Sequence, residues 1–406
     1  MEIQHCFDRR PLSSFILLYV LMYGAFGVAS PFWPRFFESR GLRPEELGVL
    51  LALGTAIRLV SGPLAGRVAD RLGARRAILA ICIIMSGLLA LGLLPAETFW
   101  LLLLVSVCQA ATLAPVTTLA DALALRETSE SRNAHGRRFE YGWVRGAGSA
   151  AFIAGTLVAG QIVSTAGLSS IVLVHAGLLA ASATVAYLLL GSKSREEERA
   201  EPAASSFAGF APLLRIALFR RLLLVAALIL GSHAVHDAFA VIRWNAAGIG
   251  PGMASLLWSL SVAGEVIVFF LVGPSLVARV GPAAAAAIAA GAGILRWVVM
   301  ALSAAPLALA IVQPLHGFTF ALLHLACMRL LTQVVPPPLA ATGQAIYALA
   351  VAATTALLTF AAGALYARWG AAAFFVMAAL CAGALPLTSG LREPAPVDAK
   401  SPHRNR

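Results

Sequence analysis

Charge is scarce in this chain: Asp, Glu, Lys and Arg together make up 12% of its 406 residues. Soluble domains carry about 25%, so a water-facing globule of this length is excluded. Acids are scarcer still, 19 against 30 Lys and Arg, for a formal net charge of +11. That surplus does not point to nucleic acid, because the basic residues are not interleaved with aromatics in one patch. They sit at the ends of apolar runs, where they report topology. Cysteine is sparse and scattered (Cys6, Cys82, Cys108, Cys327, Cys381), with no disulfide framework and no Cys-x-x-Cys metal spacing. A cleavable leader is not expected either: the apolar run from Leu12 is too long for a signal core and lacks a cleavage site. It reads as a first spanning helix.

What the chain has in abundance is apolar sequence, 60% of all residues. A bilayer-spanning helix needs about twenty such residues. That rule gives spans at 12–36, 46–67, 77–95, 98–124, 143–164 and 169–190, then 219–244, 253–277, 283–303, 306–331, 341–366 and 371–391. The expected fold is therefore all-α, with twelve transmembrane helices in two six-helix bundles. Residues 1–190 would form the first bundle, 191–215 a cytoplasmic linker, and 216–406 the second bundle with its tail. The linker holds Lys193, Arg195, Glu196, Glu197, Glu198 and Arg199, and reads as solvated with a surface helix near its end. Of the Lys and Arg, Arg35, Arg40, Arg43, Arg243 and Arg368 fall on one side, and Arg58, Arg145 and Arg296 fall within spans. All the others fall on the opposite side, which predicts that both termini are cytoplasmic.

Between the second and third spans stands Gly66-Arg-Val-Ala-Asp70-Arg71-Leu-Gly73-Ala-Arg75-Arg76. Two glycines allow a sharp turn or close approach, Asp70 suits a helix N-terminus or a neighbouring Arg, and the arginines hold the loop on the cytoplasmic side. Gly66, Asp70, Arg71, Gly73, Arg75 and Arg76 fall on the pattern G-x-x-x-D-R-x-G-x-R-R, and here the chain resembles the major facilitator superfamily. Leu276-Val-Ala-Arg279-Val-Gly281 after the eighth span is a worn second copy, with Ala where the first has Asp. The resemblance implies two related halves around a central substrate site.

Ionisable groups inside spans are costly and normally face a polar cavity or a partner. Three arginines (Arg58, Arg145, Arg296) meet three acids (Asp121, Asp237, Glu265), together with His233, His236, His316 and His324. Glu265 lies mid-span, with Trp258 and Ser261 on its face. An acid in apolar surroundings is a candidate to load and release a proton. Gln313, His316, Phe320 and His324 share a face of the tenth span, with His316 a candidate proton modulator and His324 equally suited to bonding a neighbouring helix. Arg296 is expected to steady the Glu265 carboxylate. Asp121, Arg145, Arg58, His233, Asp237 and Trp258 are candidate substrate-site residues, with Arg145 or Arg58 meeting an anion. His233-x-x-His236-Asp237 has metal-like spacing but no further ligand, so polar cavity lining is the expectation and no metal or cofactor is called for.

Longer stretches sharpen the resemblance. Pro31-Phe-Trp33-Pro, Tyr141-Gly-x-Val-Arg145-x-x-Gly-Ser149-x-Ala-Phe152, Trp258-Ser-Leu-Ser-Val-Ala-Gly-Glu265, Leu295-Arg296-Trp297 and Leu315-His316-Gly-Phe-Thr-Phe-Ala-Leu-Leu-His324 look like the phenylpropionate transporter family. That family is similar in plan to the oligosaccharide and nucleoside proton symporters. The likeness implies a bacterial-type inner-membrane monomer importing an aromatic carboxylic acid with protons by alternating access. Sugar symporters of that plan carry His-x-x-Glu where this chain reads His316-Gly-Phe-Thr319. Three other readings stay open: an efflux antiporter on the same fold, a sensor that has lost transport, and a membrane-embedded enzyme with His233 or His236 as base. The last has no recognisable Ser or Cys nucleophile in its favour.

Overall fold

The computed structural model describes residues 10–135, 141–188 and 210–392. The charged part of the expected linker, Cys6 and both termini lie outside them. The described chain is all helical. The first part runs α1 (Arg10–Ala29), α2 (Trp33–Ser39), α3 (Pro44–Leu72), α4 (Arg75–Leu91), α5 (Phe99–His135), α6 (Tyr141–Ala166) and α7 (Ser170–Leu188). The second runs α8 (Phe210–Arg215), α9 (Ala217–Gly231), α10 (Ala234–Ala246), α11 (Pro251–Ile267), α12 (Gly273–Leu302), α13 (Pro306–Val312), α14 (Leu323–Val334), α15 (Ala340–Trp369) and α16 (Ala373–Thr388).

Among the described residues, nine helical stretches are long and apolar enough to cross a bilayer. Two of them, Pro251–Leu302 and Pro337–Thr388, run to 52 residues each. At 1.5 Å per residue that is roughly twice what one crossing of a ~30 Å core requires. Each is interrupted where glycine alone is at ease: Gly281 at φ 78° and Gly370 at φ 54°. Large apolar side chains on the outer surface, such as Trp100, Leu271 and Leu307, stand exposed as lipid-facing groups do.

Several expected spans are broken helices. The first stops at Ala29 and restarts at Trp33, with Pro34 in the opening turn. The seventh divides at Ser232–His233. The eighth passes through a π-helical stretch, Val268–Val272, and the tenth through a 3-10 turn, Gln313–Leu315, and a π-helical stretch, Gly317–Leu322. Such stretches free backbone groups and re-aim side chains, and are found where a site is being built.

The Gly66–Arg76 segment is mostly helix. The helix α3 continues to Leu72, and only Gly73 and Ala74 form the turn. Gly73, at φ 57°, ends the helix in the left-handed conformation. Asp70 lies in that last turn, so it caps no N-terminus; instead Arg75 Nε donates to its Oδ1 at 2.7 Å. Gly66 makes no close approach, since a Cβ there would meet nothing within 4 Å. Arg71 is exposed, and Arg76 lies over the Tyr187 ring. Substituting Gly73 with Val should cost about 1–2 kcal/mol for forcing a branched residue into this conformation, seen as a lowered thermal midpoint of the purified protein.

Apolar packing divides the molecule along its length. At the end bearing the Gly73 turn, one buried cluster draws only on residues 15–186 and a second only on 213–391. At the far end a single cluster joins both parts, through Phe36, Leu47, Leu50 and Val163 with Trp244, Leu257 and Ala362. There the helices meet backbone to backbone. A Cβ on Gly48 of α3 would lie 2.9 Å from Cα of Gly363 on α15, and one on Gly160 of α6 would lie 2.8 Å from the Pro251 carbonyl oxygen of α11. These contacts close the far end, whereas the buried clusters at the turn end are not shared between the two parts.

Candidate functional site

A cavity of about 680 Å³ lies between these clusters. Its walls carry Arg58 from α3, His233 at the break before α10, Asp237 in the first turn of α10, Trp258 and Glu265 from α11, and His316. Sequence-distant candidates therefore meet at one surface. The aromatic share of the wall is large, with Phe26, Trp33, Phe37, Phe152 and Trp258. Arg58 is exposed within the cavity, and no hydrogen bond or ion pair engages its guanidinium among the described residues.

Arg296 is not on the wall but directly behind it, with no exposed surface. Its expected partner, Glu265, is not in contact with it, because the His316 ring stands between them. Arg296 Nη1 donates to His316 Nδ1 at 3.0 Å, and Nη2 donates to His236 Nε2 at 3.2 Å and to Gln313 Oε1 at 2.8 Å. A guanidinium only donates. Each imidazole nitrogen facing it must therefore accept, so both rings are neutral and carry their proton on the opposite nitrogen. On His236 that nitrogen is Nδ1, which donates to Asp237 Oδ1 at 3.0 Å. On His316 it is Nε2, which points at Glu265 Oε2 from 3.6 Å, beyond hydrogen-bond length. One buried cation thus fixes two tautomers, and each ring turns its N–H toward a carboxyl group of the cavity wall. Trp258 stacks on His236 with centroids 5.0 Å apart and fixes the ring plane. Ser261 Oγ donates to Gln313 Oε1 at 2.7 Å, steadying the amide that shares Arg296.

Local sequence explains why Glu265 and His316 lie side by side. Gly264 and Gly317 bring α11 and the irregular tenth span into backbone contact. A Cβ on Gly264 would lie 2.5 Å from the Pro314 carbonyl oxygen, and one on Gly317 would overlap the Gly264 carbonyl. Glycine is needed at both positions for steric reasons. Pro314 initiates the 3-10 turn, which aims His316 across at α11. His233 is held by its neighbours: Nδ1 faces the Leu230 carbonyl at 2.9 Å and Nε2 faces Thr319 Oγ1 at 3.0 Å.

Asp121 and Arg145 are not among the residues that line this cavity; they form a cluster of their own on the first part of the chain. Asp121 Oδ1 accepts hydrogen bonds from the hydroxyls of Tyr19 and, at 2.7 Å, Tyr141, and lies 3.8 Å from Arg145 Nη1. Arg145 donates to the Tyr23 hydroxyl and lies over that ring. The two charges thus face each other within a tyrosine-lined cluster. His324 also stands off the wall, its ring packed against Phe269 and Tyr347. The sequence reading passes over His175, although the rule that selects the other histidines in spans applies to it equally. It lines the cavity, with Nδ1 on the Ala25 carbonyl at 2.9 Å and Nε2 accepting from Gln109 Nε2 at 3.3 Å. Tyr19 and Tyr23 carry no such signal, because an isolated tyrosine in an apolar run looks like packing. Among the described residues, no three His, Cys, Asp or Glu side chains converge as a metal ion would require.

Comparison with known proteins fits this geometry. The model of the MFS_1 like family matches residues 12–377. A "Probable 3-phenylpropionic acid transporter" of Escherichia coli (strain K12) is 32% identical over 375 residues, covering 89% of this chain and 92% of that protein. The "Uncharacterized transporter YwbF" of Bacillus subtilis (strain 168) is 26% identical over 125 residues, 31% of this chain and 30% of that protein. Among solved structures, a point mutant of the nucleoside transporter NupG superposes with a TM-score of 0.82 at 17% identity, over 94% of this chain and all of that one. A bacterial homologue of the human lysosomal transporter Spinster, inward-facing and unoccupied, gives 0.64 at 17% identity, over 94% of each chain. A cavity walled by titratable groups, inside a helical protein with a lipid-facing exterior, is what a carrier requires, and the chain belongs to the MFS_1 like family of the major facilitator superfamily, as a multi-pass membrane protein for secondary active transport of a small organic molecule.

Proposed function

We propose that the protein imports an aromatic carboxylate together with protons, by alternating access between two six-helix bundles. In this reading the chain crosses the membrane twelve times, with residues 1–190 and 216–406 as the bundles and both termini in the cytoplasm. The two 52-residue stretches count as two crossings each, and the 17-residue helix α4 as one. The Gly73 turn then lies on the cytoplasmic face, so the cavity faces inward.

The observation that carries this reading is the unpaired Arg58 guanidinium in a cavity rich in aromatic rings. An open cation on one wall suits a carboxylate, and the rings suit an aryl body. Arg58 takes the role that either it or Arg145 was expected to play, since Arg145 is engaged by Tyr23. His233, Asp237 and Trp258 form the facing wall. Glu265 carries the proton, with Arg296 and His316 holding its surroundings in place. The Escherichia coli relative's name supports an aryl acid as substrate.

The test is a ligand screen by thermal stabilisation of the purified protein against aryl carboxylates, nucleosides and sugars, since a ligand stabilises the state that it binds. 3-Phenylpropionate should stabilise the wild type. Arg58→Gln should weaken that binding by about ten- to a hundredfold, the worth of a charge-assisted hydrogen bond of roughly 1.5–3 kcal/mol. Stabilisation by a nucleoside alone, or wild-type affinity in Arg58→Gln, would remove the aryl-acid reading.

A further inference from the structure

Near Arg58 the cavity wall carries neutral polar groups whose hydrogen-bonding capacity is only partly used. His175 Nδ1 lies on the Ala25 carbonyl, which can only accept, so this nitrogen carries the proton. Among the described residues no acid bonds the ring, and an uncompensated buried charge is costly, so the imidazole is neutral. Its Nε2 is then bare and accepts from the Gln109 amide nitrogen at 3.3 Å. That bond decides which way round the amide stands. The nitrogen turns to the ring, and Oε1 is left on the other side. Gln109 lines the cavity, and among the described residues no hydrogen bond reaches its Oε1. One turn earlier on the same face of α5, Ser106 also lines the cavity. It is 7% exposed, and its buried Oγ has no partner.

Helix packing relates this pair to Arg58. Gly54 and Gly62 lie one turn to either side of Arg58 on α3, and both pack on α5. A Cβ on Gly54 would lie 3.7 Å from Cβ of Ala110, and one on Gly62 would lie 4.0 Å from Cβ of Ala114. Arg58 therefore stands level with the stretch between those alanines. Gln109 and then Ser106 follow toward the far end, where α5 begins. Trp33 meets the His175 ring edge-on, with centroids 5.6 Å apart, and lines the same part of the cavity wall. A carboxylate on Arg58 can thus direct an aryl body along α5, past Gln109 and Ser106.

We infer that Gln109 and Ser106 are specificity residues for a hydroxyl group on the aromatic ring of the substrate. The hydroxyl donates to Gln109 Oε1 and accepts from Ser106, whose own hydroxyl is free to rotate. The inference rests on the aryl-carboxylate reading and narrows the substrate class to hydroxyaryl carboxylates. A single O–H supplies what each group lacks, a donor for the amide oxygen and an acceptor for the serine. An ether oxygen supplies only the second, and a bare ring supplies neither. A site built to bond a hydroxyl discriminates against the analogue without one, because its own polar groups are then left unpaired. His175 acts through Gln109, as a positioning residue that holds the amide the right way round.

Titration calorimetry on the purified full-length protein tests this with 3-phenylpropionate, its 3-hydroxyphenyl and 4-hydroxyphenyl analogues, and the matching methoxyphenyl acids. One hydroxy acid should bind at least about tenfold more tightly than the parent, and its methoxy counterpart no more tightly than the parent. In Ser106→Ala and in Gln109→Leu that preference should shrink to less than about threefold. Residues that only held helices in place would weaken both acids alike and leave the ratio intact. Ser106→Ala is the smaller change and carries the test where Gln109→Leu does not fold. Equal binding of the hydroxy and parent acids by the wild type would overturn the inference and leave the aryl-acid reading standing. An equal gain with the methoxy acid would overturn it too. So would a preference that survives both variants, which would assign the hydroxyl to another wall group such as Asp237. Binding of none of these acids would remove the aryl-acid reading and this inference together.

Discussion

Glu265→Gln abolishes proton-driven accumulation while exchange of substrate down its own gradient persists. The amide keeps the shape of the carboxyl group, and its oxygen still faces His316 Nε2, so the contact with Gly264, Gly317 and the tenth span is undisturbed. What disappears is the capacity to ionise. A gradient of one pH unit is worth about 1.4 kcal/mol, or tenfold accumulation for one proton per substrate. In right-side-out vesicles with an imposed gradient, the variant should fall from that ratio to unity, with counterflow of 3-phenylpropionate retained. Wild-type accumulation in the variant would show that the proton is carried elsewhere. Accumulation by the wild type only in inside-out vesicles would turn the importer into an exporter.

Gly160→Leu should reopen the far end. In this conformation Gly160 presses on Ser255 and on the Pro251 carbonyl of α11, with no room for a side chain. Because the obstructing atoms include backbone, a leucine can be accommodated only by parting α6 from α11. Overpacking of this kind costs about 1–3 kcal/mol, enough to move the balance between conformations roughly tenfold to a hundredfold. An Ala362→Cys reporter, fully buried in the far-end cluster, gives the readout. A membrane-impermeant maleimide should label it at least tenfold faster when Gly160 is leucine. Equal labelling rates would show that this contact does not hold the far end closed.

Much of the architecture is legible in the sequence because hydropathy over twenty residues is a long-range signal that local irregularity hardly disturbs. The long apolar helices follow from it, whereas the loop expected over Gly66–Arg76 narrows to a turn at Gly73 and Ala74. The breaks do not follow from it: nothing in Leu230-Gly-Ser-His233 distinguishes a helix that stops from one that continues, and no residue pattern marks the π-helical stretches near the contact of Gly264 with Gly317. The membership of the site is partly legible for a related reason. Charge inside a span is conspicuous wherever it points, so Arg58, Asp237, Glu265, Arg296 and His316 are found by type alone. Which charges face each other is decided by tertiary packing. For that reason Arg296 was expected against Glu265, and the interposed ring of His316 goes unforeseen. The same limit applies to Asp121, whose tyrosine donors come from the first span and from the start of the fifth.

The glycine weld between α11 and the tenth span has a mechanical consequence. Glu265 and His316 ride on segments joined through main chain, with no compressible side chain between to absorb a displacement, and the arginine behind them is tied in by hydrogen bonds to His316 and Gln313. A swing of this part of the molecule would carry the acid and its imidazole as one piece, with their spacing preserved. In the alternating-access reading proposed above, the side from which the acid is wetted would change while its contact with the imidazole stayed the same.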